Sequence, residues 1–259
     1  MPLVVATWNV NSVRAREARL VAFLERARPD VLCLQELKAE EAAFPFESIA
    51  KQGYHAAVYG QRTYNGVAIL SRAEPTEVRR GMGEGDDDSH ARLLEARVSG
   101  LRIASAYFPN GGEVGSEKWS YKLAWMERLR AHLAATSRPG EPFALCGDFN
   151  VAPEERDVAN PEAWKDTVLC HPDARAALAR IAGVGGLEDA FRRARPEPGL
   201  YTWWDYRQLG FPRNDGLRID HVYASAPLAG RTRAAEIDRN ERKGKQPSDH
   251  APVLVTFGD

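Results

Sequence analysis

Several features that identify common protein classes are missing from this sequence. Its 259 residues include only three cysteines, with no CxxC pair, which argues against a disulfide framework or a zinc site. No apolar run reaches membrane-spanning length, and the N-terminus lacks the basic start of a secretory signal. The formal net charge is only -1, so binding to a polyanion would depend on a local basic patch. We therefore expect a soluble, cytoplasmic monomer with no membrane partner and a single domain over residues 1–259.

Two catalytic signatures are missing as well. There is no glycine-rich phosphate loop, and no serine or cysteine nucleophile stands in a sharp turn between a strand and a helix. What the chain has instead is polar residues placed directly after apolar strands. In the central example, a buried strand over 143–147 runs into Asp148, Phe149 and Asn150. Side chains alternate along a strand, so Asp148 and Asn150 share a face, although such a triplet also initiates turns.

The pattern of apolar runs predicts an α/β fold. We predict strands at 3–6, 31–34, 54–59, 67–70, 93–98, 101–107, 143–147, 201–204, 219–225 and 252–257, and helices at 13–28, 116–135 and 172–181. The glycine- and acid-rich segment 81–90 is predicted to be an exposed loop. A strand, a helix and then several strands occur twice, which indicates a two-layer β-sandwich flanked by helices. Such a sandwich could gather the polar strand ends at one edge.

Polar residues close apolar strands at eight places: Asn9, Glu36, Tyr107, Asp148, Asn150, Asp220, Asp249 and His250. The set combines carboxylates, amides and one histidine. A few carboxylates with amides suit Mg²⁺, which keeps several waters and relies on phosphate oxygens of the substrate. Hydrolysis of a phosphodiester by metal-activated water fits this inventory. Taken singly, His250 could instead cap a turn between two prolines, and Tyr107 could be a core aromatic residue.

Short blocks along the chain resemble the exodeoxyribonuclease III and abasic-site endonuclease family of the endonuclease/exonuclease/phosphatase superfamily. They are TWNVNSVR at 7–14, PDVLCLQE at 29–36, YNGVAILS at 64–71, AYFPNG at 106–111, CGDFNVAP at 146–153, YTWWDYR at 201–207, GLRIDH at 216–221 and PSDHAPV at 247–253. One four-residue match would be weak, but these blocks follow the family order over the whole chain. The resemblance implies a DNase I-like four-layer α/β sandwich and a DNA-repair nuclease.

The resemblance also implies roles for individual residues. Glu36 would hold the catalytic Mg²⁺, for which Mn²⁺ could substitute. The implied metal-site residues are Asn9, Glu36, Asp148, Asn150, Asp249 and His250, and the implied catalytic residues are Tyr107, Asp148, Asn150, Asp220 and His250. Asp148 would orient or deprotonate the attacking water, and His250, oriented through Asp220, would contact the scissile phosphate. Which aspartate is the base, and whether one metal or two bind, stays open.

The resemblance points to double-stranded DNA with abasic sites or 3′ ends as the substrate. Superfamily members that act on lipid or inositol phosphates usually carry a second catalytic histidine where this chain has Tyr107. The implied DNA-binding and substrate-binding residues are Asn11, Tyr64, Asn110, Trp203, Arg207 and Leu217. Trp203 and Leu217 would wall a pocket for a base-free sugar, while one of the adjacent Trp203 and Trp204 would face the core. Segment 154–171 departs from the abasic-endonuclease pattern, so the balance of abasic incision, 3′ to 5′ exonuclease and 3′-phosphatase activity stays open.

Two other functions remain as alternatives at this point. One is a general phosphodiesterase or phosphatase of the superfamily, which a comparison of an abasic duplex with an inositol polyphosphate would separate. The other is a non-catalytic DNA-binding module on the same fold. The intact set of polar strand ends argues against this second alternative, and magnesium-dependent turnover would eliminate it.

Overall fold

Two six-stranded β-sheets form the centre of the computed structural model, which describes residues 2–83 and 89–259. The strands are β1 Leu3–Asn9, β2 Val31–Gln35, β3 His55–Tyr59, β4 Val67–Ser71, β5 Thr76–Arg80, β6 Leu93–Val98, β7 Leu101–Tyr107, β8 Phe143–Asp148, β9 Glu188–Asp189, β10 Asp220–Ala224, β11 Thr232–Ile237 and β12 Val253–Phe257. Within the predicted acidic loop at 81–90, residues 84–88 lie outside the described part of the chain.

The two sheets have the same pattern of parallel and antiparallel strand pairs. The first sheet runs β11-β12-β1-β2-β4-β3 and the second runs β5-β6-β7-β8-β10-β9. Each has one parallel pair near its centre, β1 with β2 and β7 with β8, and its other pairs are antiparallel. Parallel neighbours end at the same edge of a sheet, so each central pair delivers two strand ends side by side.

The described part of the chain contains eight α-helices. They are α1 Glu17–Ala27, α2 Phe46–Ala50, α3 Glu117–Thr136, α4 Pro161–Trp164, α5 Pro172–Gly183, α6 Ala190–Ala194, α7 Gly210–Arg213 and α8 Ala226–Ala229. The longest, α3, begins at Ser116, whose hydroxyl accepts a hydrogen bond from the Trp119 amide and so satisfies one free helix-end donor. The prediction of a sandwich flanked by helices is confirmed.

Three apolar layers hold the sheets and helices together. Val31 and Ile69 of the first sheet pack against Ala144 and Val222 of the second. Outside the first sheet, the α1 residues Leu20, Phe23 and Leu24 cover Trp8 and Leu32. Outside the second, α3 and α5 cover Ala104 and Leu145 with Met126, Leu129 and Leu178. Each large side chain buried in this way contributes ~1.5–3 kcal/mol, and the layers together fix how the two sheets face each other.

Some sequence predictions of local structure are wrong. The helix predicted at 13–28 begins only at Glu17, because residues 13–16 form turns in which the Arg16 N–H donates to the Ser12 and Val13 carbonyls. The predicted strand at 201–204 is an irregular segment that forms only isolated bridges at Trp203, to Leu217 and His250. The strands β5 and β11 were not predicted, because edge strands with charged, exposed residues lack an apolar alternation. Among the described residues, no helix is long and apolar enough to cross a membrane.

Candidate active site

The ends of four parallel-paired strands meet at one edge of the sandwich. In the first sheet, Asn9 closes β1 beside the end of β2, which Glu36 follows. In the second sheet, Tyr107 and Asp148 are register partners at the ends of β7 and β8. Asp220 opens the antiparallel β10 directly opposite Asp148. These five predicted site residues therefore come together because of strand direction, although they are far apart in sequence.

The backbone around these strand ends is unusually constrained. A Cβ atom at Gly147 would lie 1.8 Å from the Ala106 carbonyl oxygen, so only glycine lets β7 and β8 approach this closely before Asp148. Glu36 and Asn150 have positive φ angles of 51° and 49°. Left-handed backbone is unfavourable for side chains other than glycine and tends to occur at functional sites. Here the left-handed turns direct side chains into the edge cleft immediately after the strands end.

Asn9 connects the two sheets at the centre of the site. Its fully buried amide donates to Glu36 Oε1 at 2.8 Å and to Asp148 Oδ2 at 2.9 Å. The Asn9 Oδ1 in turn accepts the Asn11 backbone N–H at 3.0 Å, which fixes the amide orientation. Asn9 therefore contacts both Glu36 and Asp148, and its predicted place in a metal site stays a prediction.

His250 and Asp220 form a buried pair facing Asp148. His250 Nδ1 lies 2.8 Å from Asp220 Oδ2, and His250 Nε2 points to Asp148 Oδ2 at 3.8 Å. Ser248 holds this arrangement, because its hydroxyl donates to the Asn9 carbonyl and accepts the His250 amide. Asp220 Oδ1 is buried without a hydrogen-bond partner. Asp220 thus fixes the His250 ring, and the predicted contact of His250 with a scissile phosphate stays a prediction.

Asn150 and Asn110 extend the site along the second sheet. The Asn150 amide donates to Asp148 Oδ2 at 3.3 Å and to the Phe108 carbonyl at 3.0 Å, while its backbone N–H donates to Asp148 Oδ1 at 2.9 Å. Asn110 Nδ2 donates to Asn150 Oδ1 at 3.1 Å. Asn110 itself is exposed. A chain of hydrogen bonds thus runs from an exposed amide to the buried Asp148 carboxylate.

Tyr107 lies between Glu36 and an arginine. Its hydroxyl hydrogen-bonds Glu36, and the Arg92 guanidinium lies 5.0 Å from the centre of its ring. Burial first, then the charges of Glu36 and Asp148, raise the pKa of Tyr107 well above its usual value. Tyr107 is therefore a neutral hydroxyl at the cleft, and its single O–H is donated to the Glu36 carboxylate.

The site holds more negative charge than its fixed cations balance. Burial raises the pKa of Asp148 to about 7, with Asp220 and Glu36 adding to the shift and His250 and Asn9 opposing it. For His250, burial lowers the pKa, but Asp220 and Asp148 outweigh it and raise the pKa to about 10. Among the described residues, one cluster could hold a metal ion, because ligand atoms of Glu36, Asp148 and His250 lie within 4.8 Å of one another.

Asp249 lies at the margin of this cluster. Its two carboxylate oxygens accept hydrogen bonds from Asn11 Nδ2 at 2.9 Å and from Trp203 Nε1 at 3.0 Å. Lys38 donates to Asn11 Oδ1 at 2.6 Å and pairs with Glu36 Oε2 at 2.9 Å. No sequence pattern had indicated that Lys38 belongs to the site. Asp249 therefore fixes the Asn11 and Trp203 side chains, and its predicted role as a metal ligand stays a prediction.

The remaining predicted substrate residues divide into exposed and buried ones. Tyr64 is 69% exposed and lines a cavity of about 440 Å³ together with Glu36, Tyr107 and Asn110. Arg207 is exposed and ion-paired with Asp205 at 2.6 Å. Leu217 is fully buried beside Trp203, so it supports this ring and presents no surface of its own.

The two adjacent tryptophans face opposite ways. Trp204 is fully buried, whereas Trp203 is partly exposed and its ring meets the edge of Trp164 at 5.7 Å. This confirms that one of the pair belongs to the core. Trp164, on α4, is a neighbour of the predicted pocket that the sequence did not reveal, because only the folded chain brings segment 154–171 beside Trp203.

Comparison with known proteins agrees with the site. The model of the endonuclease/exonuclease/phosphatase family matches residues 6–250. Exodeoxyribonuclease III of Haemophilus influenzae is 36% identical over 97% of this chain and 98% of that protein. An AP endonuclease structure from Archaeoglobus fulgidus superposes with a TM-score of 0.95 at 38% identity, covering 98% of this chain and 99% of that one. A Neisseria 3′ phosphatase bound to a product DNA hairpin gives a TM-score of 0.96 at 38% identity, covering 99% and 100%.

The chain therefore belongs to the endonuclease/exonuclease/phosphatase family. Within it, the near full-length likeness places the chain with exodeoxyribonuclease III and the abasic-site endonucleases. The family predicted from the sequence blocks is confirmed, and so is the DNase I-like sandwich.

Proposed function

We propose that this chain is a Mg²⁺-dependent DNA-repair nuclease that hydrolyses phosphodiesters of double-stranded DNA at abasic sites and at 3′ ends. The proposal rests mainly on one observation: ligand atoms of Glu36, Asp148 and His250 lie within 4.8 Å of one another at the edge of the sandwich. Relatives named exodeoxyribonuclease III, AP endonuclease and 3′ phosphatase support the DNA substrate and both kinds of cleavage.

The donor set suits a hard divalent cation. Glu36 and Asp148 provide carboxylate oxygens, and the net negative charge of the buried cluster favours an added cation. Glu36 would hold the ion, with Asp148 and the amides of Asn9 and Asn150 close by. When bound, Mg²⁺ would neutralise phosphate charge and lower the pKa of a water molecule. Asp249 is engaged by Asn11 and Trp203 and is better suited to contact the outer part of the site.

The protein side chains then divide the remaining work. Asp148, with a raised pKa, is placed to orient a water and accept its proton near neutral pH. Asn150 fixes the Asp148 carboxylate through two donors, one from the backbone and one from its amide. His250, kept cationic by Asp220, would donate to a phosphate oxygen as negative charge develops. The Tyr107 hydroxyl would do so only after turning its proton away from Glu36, whose carboxylate would then hold the metal ion.

Substrate selection would depend on shape. Within residues 2–83 and 89–259, no element resembles a base reader, and the partly exposed Trp203 offers an apolar face next to the cluster. Extrusion of a nucleotide costs a few kcal/mol, and least where pairing is already lost. Abasic sites and frayed 3′ ends meet this condition. Tyr64, Asn110 and Arg92 around the 440 Å³ cavity would contact the strand that leads away from the site.

The test uses one labelled duplex that carries a single abasic analogue, incubated with Mg²⁺ and with EDTA. We expect incision at the analogue with Mg²⁺ and none with EDTA, and slow 3′ to 5′ trimming of the matched intact duplex. An inositol polyphosphate under the same conditions should release no phosphate. Turnover of the inositol compound without DNA cleavage would instead assign the site to a general phosphatase, and DNA binding without any turnover would assign it to a binding module.

A further inference from the structure

Lys122, on helix α3, is a buried basic side chain outside the set of residues discussed so far, and burial lowers its pKa to about 7. It has no exposed surface, and its Nζ atom lies within hydrogen-bond distance of three backbone carbonyl oxygens. These belong to Asn150 at 2.7 Å, Val168 at 2.7 Å and Asn110 at 3.2 Å. An ammonium group has three N–H donors and no acceptor, so this environment satisfies it completely without a carboxylate.

The three carbonyls belong to segments that surround the active site. Asn110 follows β7 and Asn150 follows β8, so Lys122 ties together the backbones of the two asparagines whose side chains already meet. The lysine stem is closely fitted, because a Cβ atom at Gly111 would lie 2.9 Å from Lys122 Cδ. A buried ammonium is costly unless its hydrogen bonds are complete. The three carbonyls supply these hydrogen bonds, and an apolar side chain at this position would leave all three without the Lys122 donor.

The chain beyond Asn150 is held by basic side chains at each successive carbonyl. Lys122 binds the Asn150 carbonyl, His221 Nε2 donates to the Val151 carbonyl at 3.0 Å, and Arg175 Nε donates to the Ala152 carbonyl at 2.9 Å. Asn150 has left-handed backbone, which costs free energy that other contacts must offset. Of the three basic residues, Lys122 is the one that also reaches the Asn110 segment.

We infer that Lys122 is a positioning residue, which holds Asn110 and Asn150 in register and through them orients the Asp148 carboxylate. This inference rests on the proposed nuclease function, because it assigns Lys122 to the orientation of the proposed base. Lys122 touches neither substrate nor metal. Its effect is transmitted through the Asn150 side chain, which donates to Asp148 Oδ2, and through the Asn150 backbone N–H, which donates to Asp148 Oδ1.

The test compares Lys122→Met with Arg175→Met, a matched control that also removes a donor to a carbonyl of the same segment. For Lys122→Met, we expect kcat on the abasic duplex to fall at least about tenfold with KM within about threefold, since misplacement by about 1 Å can cost ~10²-fold. Arg175→Met should change kcat by less than about threefold. Rates are taken well below the melting temperature of each variant, so that loss of folded protein does not contribute.

A double-mutant cycle separates positioning from general destabilisation. If Lys122 acts through Asn150, adding Lys122→Met to Asn150→Ala should lower the single-turnover rate constant by less than about threefold. An additive loss in the double variant, or an unchanged kcat in folded Lys122→Met, would overturn the inference. If Lys122→Met does not fold, Lys122→Gln, whose amide keeps two N–H donors, is put through the same cycle.

Hydrogen exchange gives a readout that needs no activity. The Asn150 amide donates to Asp148 Oδ1 and the Gly112 amide donates to Asn110 Oδ1. In Lys122→Met, both amides should exchange faster than in the wild-type protein. In Arg175→Met, both should exchange at the wild-type rate. Unchanged exchange at both positions would refute the inference even if the wild-type protein proved inactive on DNA, whereas wild-type inactivity alone would refute only the proposed function.

Discussion

Two buried acidic clusters in this protein have opposite electrostatic states. The catalytic cluster consists of Glu36, Asp148, Asp220 and His250, and the arginine cluster consists of Asp157, Asp189, Arg192 and Arg218. Burial raises the pKa of Asp148 to about 7. Burial also raises the pKa of Asp157, but Arg218 and Arg192 outweigh it and lower the pKa to about 2. The two aspartates are equally hidden from solvent, so the difference lies in their partners.

In the arginine cluster, groups of the protein itself pair with both carboxylate oxygens of Asp157. Asp157 Oδ1 accepts from Arg218 Nε at 2.7 Å and from Arg192 Nη2 at 2.5 Å, and Asp157 Oδ2 accepts the Glu154 backbone N–H at 3.0 Å. Arg218 also pairs with Asp189 Oδ2 at 2.8 Å. In the catalytic cluster, amides and one histidine take the place of arginines. The comparison teaches that the fold can compensate a buried carboxylate fully with arginines, and that it compensates Asp148 less completely.

Asp148→Asn should break the catalytic cluster and have the largest effect. We expect kcat to fall by ~10²–10⁴, the usual contribution of one positioned catalytic group, with KM little changed. Thermal stability should stay the same or rise, because the substitution removes a buried carboxylate of raised pKa. Steady-state kinetics on an abasic duplex and thermal melting test both parts. A loss confined to KM would make Asp148 a binding residue.

Asp157→Asn, in the arginine cluster, should lower the stability of the protein and leave catalysis nearly unchanged. Removing one partner of a buried ion pair leaves two guanidinium groups without their carboxylate and costs about 3–5 kcal/mol of stability. The folded variant should keep kcat within about threefold, since Asp157 has no contact with the catalytic cluster among its hydrogen bonds. Urea denaturation measures the first effect and abasic-duplex kinetics the second. Equal stability of variant and wild type would contradict the comparison.

The pH dependence of stability should differ between the clusters, measured without metal. The folded pKa of Asp157 is about 2, below its unfolded value of ~3.9. The unfolded chain therefore binds the extra proton between these values, so Asp157 stabilises above pH ~4 and this stability is lost as pH falls through 2. The predicted contribution is about 2–3 kcal/mol.

Asp148 should change the stability with pH in the opposite direction. Its folded pKa is raised to about 7, so the folded chain holds the proton between pH ~4 and 7, and stability falls as pH rises through that range. Asp148→Asn should flatten the slope at pH 4–7 and Asp157→Asn the slope at pH 2–4. Denaturant titrations across pH test this, and identical curves for the two variants would count against the assignment.

Trp203→Ala tests the edge of the catalytic cluster and should have the smallest effect. We expect about a tenfold loss in the ratio of abasic to intact duplex cleavage, with the magnesium dependence and pH profile unchanged. If Trp203 were instead a core residue, its truncation would cost ~3–5 kcal/mol. Melting temperature and cleavage ratio are measured on the same variant. A large fall in melting temperature with an unchanged ratio would assign Trp203 to the core.

The sequence by itself determined the sandwich and the membership of the catalytic cluster. Apolar runs of strand length followed at once by Glu36 or Asp148 are local signals, and the family blocks are local too. The same local pattern indicated that only one of Trp203 and Trp204 faces inward, because adjacent side chains of an extended chain point to opposite faces.

Only the tertiary structure decided which partners each of these residues has. The sequence does not indicate that Asp148 and Asp157 have opposite pKa shifts. These arise because Arg192 and Arg218, distant in sequence, reach Asp157 and not Asp148. Lys122 looked like part of an amphipathic helix, and its three carbonyl partners come from three separate segments. Charge compensation depends on distances of a few ångströms across the fold, and neither periodicity nor spacing along the chain encodes those distances.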